Sequence, residues 1–566
     1  MADITKYSVV DPRILQQKPK YAVEKGAVSI TNGRFSAIAN SSSQQTFQVQ
    51  VPSENIYVDR AVDWLCTANV LVTLNYAAVG DLPANNAVLA TPGVNFSLAP
   101  FPTTQSVSTM QATINDQSLS INMADVLPQV LRLADLSKTR KQRTCPTMLD
   151  RYYDVVPADT YFNSPVGSYG SAYSTDEVPC GAWGDLSFYI PTVPGTAGAI
   201  TVDSVTGLPK APNPAGLSAG AKTIVFGVQW TTAEKLVLPP FIFADEDELS
   251  TGLFGVQNMQ FTMNFNSPAR SLRFTPGGFP GTVNPAGPFS VAWDGSSPFT
   301  LAQIQVQFLT PSLDVPLPAK SIVPWMEFPR YISPVQVIEL GQNTNVQSQT
   351  ITLPMIPDLL VMFVKPQSYT LPGGVLDPSQ SDWVLPISNI SLSFDNFSGL
   401  LSNHSQYELY KMSVNNGLEM DWDEWSGQAW ANGAKTPLVG GPLVLRPGRD
   451  FALSSGQAPG LIGNFTLQFN LTIQNYTPDT YGGLGNGTYG SGVSIYTVTA
   501  NSGFFETIKG SSRILRGVVT EQDILGAPVS EPVQSMERMV GEGKHRGHVG
   551  HGRAHHGKKG MHSYIR

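Results

Sequence analysis

Charge, histidine and cysteine are all scarce in this chain, and each scarcity removes a class of function. Charged residues make up 14% of the 566 positions, while glycine (51) and proline (44) are plentiful. That balance suits many short strands joined by turns and argues against a helical bundle. The three cysteines, Cys66, Cys145 and Cys180, are odd in number and far apart. They point to neither a disulfide framework nor a zinc site, and reduced thiols are expected. Six of the seven histidines follow residue 542, which leaves His404 alone in the body. No apolar run reaches the roughly 18 residues of a membrane span. The longest, 356–364, fits a buried strand. The opening residues, MADITKYSVVDPR, lack the charged-then-apolar layout of a secretion signal.

Catalytic motifs are missing too. There is no Walker A sequence, no H-E-x-x-H and no Cys-x-x-Cys. Gly216-Leu217-Ser218-Ala219-Gly220 has the form of a nucleophile elbow, which needs a strand before it and a helix after it. Here a Pro/Gly-rich loop precedes and a strand pattern follows, and the base would have to be His404. Asp421 and Asp423 form a D-x-D pair, yet on a helix they diverge by about 200°. They read as a charged outer face beside a tryptophan core. The run Asp245-Glu246-Asp247-Glu248 has carboxylates enough for calcium or acid–base chemistry, and a solvated loop is the plainer reading. No enzyme, metal or cofactor is expected.

What is present is a repeat. Leu236-Val237-Leu238-Pro239-Pro240 matches Leu443-Val444-Leu445-Arg446-Pro447, and Gly252-Leu253-Phe254-Gly255 matches Gly460-Leu461-Ile462-Gly463. A strand pattern follows each turn. Met259, Phe261, Met263 and Phe265 alternate with polar residues in one copy; Phe465, Leu467, Phe469, Leu471 and Ile473 do so in the other. One supersecondary unit used twice implies two related all-β domains. The polar sides of these strands are Asn, Gln and Thr rather than Lys and Glu, as fits strands covered by neighbouring subunits or long loops.

Along the chain, residues 1–40 read as an N-terminal arm, 41–318 as the first domain, 319–530 as the second and 531–566 as a basic, His-rich, disordered tail. The Pro-rich segment 311–324 marks the boundary between domains. Residues 163–221 read as long surface loops. Met123, Val126, Leu127, Val130 and Leu131 within 114–134 have helical spacing. The basic run at Lys138, Arg140, Lys141 and Arg143 reads as a solvated loop, with nucleic-acid contact or nuclear import as the alternatives. Ser405 to Glu408 forms a capping box for a helix with Tyr407, Tyr410 and Val414 on one face, ended by Gly417. Leu418, Trp422, Trp425 and Ala429 continue at helical spacing.

The tail is set apart by charge. From Gly543 onward there are six Lys/Arg and no Asp or Glu, leaving 29 basic and 43 acidic residues before it. Lys544, Arg546, Arg553, Lys558, Lys559 and Arg566 suit contact with nucleic-acid phosphates, and His-rich tracts also take metals. At the charge boundary, Met539, Gly541, Glu542 and Gly543 fit the (Met/Ile/Leu)-x-Gly-x-Gly pattern cut by adenovirus-type maturation proteases, with the scissile bond after Glu542.

Several segments together resemble the double jelly-roll major capsid proteins of Polinton-like viruses, Mavericks and virophages. They are Pro52-Ser53-Glu54-Asn55 with Val58-Asp59-Arg60; Ile356-Pro357-Asp358-Leu359-Leu360 with Val364-Lys365-Pro366; the run from Tyr407 to Gly417; and Gly441-Pro442-Leu443-Val444-Leu445. The likeness covers about residues 40–530. It implies an all-β fold of two tandem eight-stranded antiparallel jelly rolls with short helices and long loops. It further implies a homotrimer, that is, a pseudo-hexameric capsomer tiling an icosahedral virion. Neighbouring capsomers and penton and minor capsid proteins would be partners, with genomic DNA and a viral maturation protease as partners of the tail. Assembly would occur in the host cytoplasm or nucleus. The competing reading is a secreted or surface β-sandwich adhesin or carbohydrate-binding protein; a glycosidase using Asp/Glu pairs comes third.

Overall fold

The computed structural model describes residues 29–133, 185–241, 252–366, 384–474 and 493–517, with short gaps inside those ranges. Two β-sandwiches follow one another. The first contains β1 (Ser29–Ser36), β2 (Gln44–Gln50), β3 (Asp63–Tyr76), β4 (Val107–Ile114), β5 (Gln117–Ile121), β6 (Lys222–Lys235), β7 (Asn258–Phe265) and β8 (Phe299–Thr310). One sheet has the order β1-β8-β3-β6 and the other β2-β7-β4-β5. The chain therefore changes sheet at almost every connection, and the first strand ends beside the last. That wrapping is a jelly roll.

The second sandwich repeats it. Its first strand position is filled by β9 (Ser321–Glu327) and β10 (Arg330–Pro334), its second by β11 (Asn343–Gln347) and β12 (Ile351–Met355). Then come β13 (Leu359–Pro366), β14 (Ile387–Phe394), β15 (Phe397–Leu400), β16 (Leu443–Leu445), β17 (Ile462–Gln474) and β18 (Val493–Ile508). β18 lies between β9/β10 and β13, with β16 beyond β13; β17 lies between β11/β12 and β14, with β15 beyond β14. The two sequence repeats thus end in topologically equivalent strands, β7 and β17. Met259, Phe261 and Met263 are buried in one, and Leu467, Leu471 and Ile473 in the other. The match has one offset: Leu443–Leu445 is strand β16, whereas Leu236–Leu238 comes just after β6.

The core of the first jelly roll is aromatic, with Phe47, Trp64, Phe226, Trp230 and Phe261 fully buried. Its polar insertions are paired. The Trp64 indole N–H donates to Gln45 Oε1 at 3.2 Å. Cys66 is a buried free thiol beside the same Gln45, and burial pushes its ionisation far above the ordinary range. Glu234 is fully buried and holds the short helix α1 (Pro102–Gln105), accepting from the Thr103 and Thr104 backbone N–H groups at 2.8 Å each. Burial raises its pKa, and those donors pull it back.

Several expectations are corrected. Ser29–Ser36 is not arm but the edge strand β1, paired in full register with β8. The loops of 163–221 include a strand, Asp185–Tyr189, paired with β6. The helix expected in 114–134 is confined to α2 (Met123–Val130), because Gln117–Ile121 is recruited into a hairpin with β4. Its apolar residues are buried as the spacing required. The capping box of α3 (Gln406–Asn415) forms, and Gly417 at φ +102° follows its end. Its buried residues, however, are Leu409 and Ser413, while Tyr407 and Val414 face solvent. The next helix, α4 (Trp422–Ser426), stops at Gly427 with φ +72°, so Ala429 belongs to a strand instead. Residues 1–28, the basic run at 138–143 and the tail lie outside the described residues.

Candidate assembly interface

The second jelly roll is joined to the first by a seam built from the chain between the sandwiches and the chain after them. β9 pairs with the C-terminal half of β18, and β19 (Ser511–Arg516) flanks that half on its other side. This extension reaches the first jelly roll through backbone and short side chains. Thr507 Oγ1 donates to Phe254 O; the Gly510 N–H donates to Gly255 O at 2.8 Å; the Ser512 N–H donates to Asp116 Oδ1 at 2.7 Å. Gly255 adopts φ +77°, and a Cβ there would stand 2.8 Å from the Lys509 nitrogen, so the close approach requires glycine.

Inside the extension, Glu506 is fully buried between Lys320 Nζ at 2.7 Å and Arg513 Nε at 2.6 Å. Burial alone would raise its pKa; the two cations more than offset that and hold it below the ordinary carboxylate range. Lys320 precedes β9 and Arg513 lies on β19, so one carboxylate ties both outer strands to β18.

The two jelly rolls differ in how their corresponding sheets are covered. In the second, Arg330, Val361, Phe363, Tyr496 and Val498 share one face by register. Arg330 forms an ion pair with Asp125 of α2, so this face meets the first jelly roll. The opposite face carries Leu360, Met362, Thr497 and Thr499. Val361, Phe363 and Val498 are buried on one side, and Leu360, Met362 and Thr499 on the other. In the first jelly roll, among the described residues, the inward side chains of β3 and β6 are sealed, and of the outward ones Thr67 is buried as well. The other outward ones, such as Leu65, Asn69, Leu71, Val225 and Gln229, are half-exposed. Across β3, β6 and β8 the outward charges are Asp63 and Lys235, which pair at 3.1 Å.

The helices show the same asymmetry. α2 and α3 each follow the fifth strand of their jelly roll and pack on its fourth, β4 or β14, with α3 also held to β16 by Ser413 and Asn416 on the Val444 backbone. α2 is covered so fully that Gln129 and, just beyond it, Arg132 are also buried; the Arg132 guanidinium donates to Gly440 O at 3.1 Å. α3 leaves Tyr407 51% and Val414 40% exposed. Behind them Tyr407, Tyr410, Trp422 and Trp425 form an aromatic cluster with ring centroids 5.4–6.2 Å apart.

No catalytic grouping emerges from the residues singled out earlier. Ser218 is exposed in a loop, with Gly216 and Gly220 both at positive φ, and no elbow forms. Asp421 caps α4 and Asp423 is exposed on it. Among the described residues no group of three His, Cys, Asp or Glu is placed to hold a metal. Asp245–Glu248, Met539, Gly541, Glu542, Gly543 and the basic residues Lys544, Arg546, Arg553, Lys558, Lys559 and Arg566 lie outside the described residues. Sequence reasoning missed the seam: 311–324 reads as a proline-rich boundary, yet Ser321–Glu327 is strand β9, and nothing local indicated that 321–327 and 511–516 would flank one strand.

Comparison with known proteins gives the same fold. Residues 2–309 match the first domain of the Sputnik virophage major capsid protein, and 328–503 match the C-terminal domain of major capsid protein V20. The putative capsid protein V20 of Sputnik virophage is 25% identical over 554 residues, covering 94% of this chain and 84% of that protein. A chain of the Sputnik virophage particle solved by cryo-EM superposes with a TM-score of 0.70 at 23% identity, covering 94% of this chain and 98% of the other. The mavirus major capsid protein does so at 0.62 and 13% identity, covering 91% and 96%. These relatives are structural proteins of the virion rather than enzymes.

For the seam, replacing Glu506 with Gln should lower stability at pH 7 by roughly 1–2 kcal/mol, since two charge-assisted hydrogen bonds are weakened while Lys320 and Arg513 keep access to water. Because the folded-state pKa is depressed, the contribution is present above the unfolded value near 4.5 and is lost as pH falls through the folded one. Thermal melts of the two proteins should therefore differ at pH 7 and converge in acid; a gap that persists or widens in acid would contradict this. With two jelly rolls in tandem and a matched model over more than half its length, the chain belongs to the Sputnik virophage major capsid protein family.

Proposed function

We propose that this capsid protein works as a homotrimer whose six jelly rolls form a pseudo-hexagonal capsomer, and that such capsomers tile an icosahedral shell. The observation that carries this is the difference between the two corresponding sheets. On the face of the second sheet that meets the first jelly roll, Val361, Phe363 and Val498 are buried, with Ile332 exposed at the β10 edge, whereas among the described residues the outward side chains of the first sheet stay half-buried and nearly uncharged. Such a face fits a partner better than bulk water. A chain with two similar halves that bury each other asymmetrically makes a head-to-tail contact, and rotation by a third of a turn closes it. Neighbouring capsomers and penton and minor capsid proteins are then the lateral partners.

The tail completes the proposal. Cleavage after Glu542 by a viral protease would release a peptide bearing the six Lys/Arg residues, and the uncut tail would hold genomic DNA by charge. These two roles follow from the residue pattern at 539–566.

Light scattering of the purified chain should give three times its 61.0 kDa mass, with pseudo-sixfold rings in negative stain. A monomer that binds glycans would contradict the proposal and favour the adhesin reading. Intact-mass measurement of chains from particles should show an end at Glu542; chains still ending at Arg566 would refute the cut. In that case DNA retention that falls steeply with salt, and disappears when 543–566 is deleted, is the expected behaviour of the tail.

A further inference from the structure

The trimer proposal leaves open which surfaces meet, and the duplicated fold supplies an answer. Matching Leu236 to Leu443 carries a register through each sheet. Leu236 bonds to Val62, Lys235 opposes Asp63, and Asp63 opposes Gln305. In the second jelly roll Leu443 opposes Met362, and the next residue, Phe363, opposes Tyr496. Asp63 and Gln305 thus correspond to Phe363 and Tyr496. The face of the second sheet that the first jelly roll meets within the chain is the counterpart of the half-buried outer face of the first sheet.

What covers the second sheet is the region of α2, anchored by Asp125 on Arg330. The counterpart of α2 is α3, which occupies the same place after the fifth strand and is the helix left uncovered. We propose that the α3 face carrying Tyr407, Lys411 and Val414 docks on the outer face of the β1-β8-β3-β6 sheet of a second copy of this chain. This rests on the trimer reading and specifies its contact. The chemistry of the two surfaces fits. The sheet offers Leu65, Leu71 and Val225 among neutral amides and hydroxyls, and its charges are the mutually paired Asp63 and Lys235 with Arg34 on the β1 edge. Tyr407 is already held in place. Its ring meets Trp422 edge-on at 5.5 Å, and Lys411 Nζ lies 4.8 Å from the ring centroid. A pre-positioned aromatic side chain loses little freedom on binding, which is the character of an interface anchor.

The test uses the full-length chain. Val414→Arg alters one exposed side chain and should leave the monomer's circular dichroism and melting temperature unchanged; adding Tyr407→Arg removes the edge-on contact with Trp422, so that monomer should keep its circular dichroism with a slightly lower melting temperature. The trimer should dissociate, or its dissociation constant rise at least a hundredfold. Gln229→Arg, on the opposing sheet face, should weaken the trimer in the same way, by tenfold or more. Val193→Arg and Val205→Arg, on exposed loops, should leave it intact. A wild-type trimer that the helix and sheet variants do not weaken would overturn this contact while leaving the trimer standing. A wild-type monomer at assembly concentrations would instead overturn the trimer, and this contact with it.

Discussion

A jelly-roll sheet has two faces, and its own sandwich can fill only one. Everything characteristic of this protein follows from how the other face is treated. In the second jelly roll much of it is covered: Val361 and Phe363 are buried, Phe363 stacks on Tyr496 at 5.1 Å, and Arg330 reaches across to Asp125, while Ile332 at the edge stays exposed. In the first the corresponding face is wet but almost without charge. Apolar and neutral polar side chains at those positions make a poor permanent surface for a monomer. The asymmetry is a natural result of duplicating a domain and joining the copies, since one of the two equivalent contacts is satisfied within the chain and the other is left over.

Such an arrangement needs the two halves fixed at a definite angle, and the seam provides this. Three strands that lie outside the sandwiches proper, or extend them, converge on Glu506, whose carboxylate is surrounded by a lysine from one flank and an arginine from the other. Removing both cations would leave the buried Glu506 carboxylate without a partner, which costs more than either pair itself contributes. The short hydrogen bonds from Thr507, Gly510 and Ser512 then orient the first jelly roll against the second without long, mobile side chains. Electrostatics and close backbone approach thus set the geometry, while the aromatic cores set the stability of each half.

Much of this was legible in the sequence, for reasons that differ by element. β7 and β17 were readable because alternation has a period of two and needs no knowledge of neighbours. The α3 capping box was readable because Ser405 and Glu408 satisfy each other locally. The shared face of Tyr407, Tyr410 and Val414 was readable from spacing, but not that Tyr407 and Val414 would face solvent, because an apolar stripe carries no mark of what it packs against. β1 was missed because Ser29–Ser36 is polar with little alternation, being an edge strand exposed on most of its length. The Glu506 triad joins residues 7 and 186 positions away, a relation no local pattern encodes.

The central claim is that one sheet face is buried twice, once within the chain and once between chains. It is tested most directly by thiol accessibility at Gln229→Cys, measured in the dissociated chain and in assembled particles. The account predicts rapid labelling in the monomer and strong protection after assembly. Equal labelling in both states would contradict it, and protection already complete in the monomer would place a segment of the same chain on that face instead.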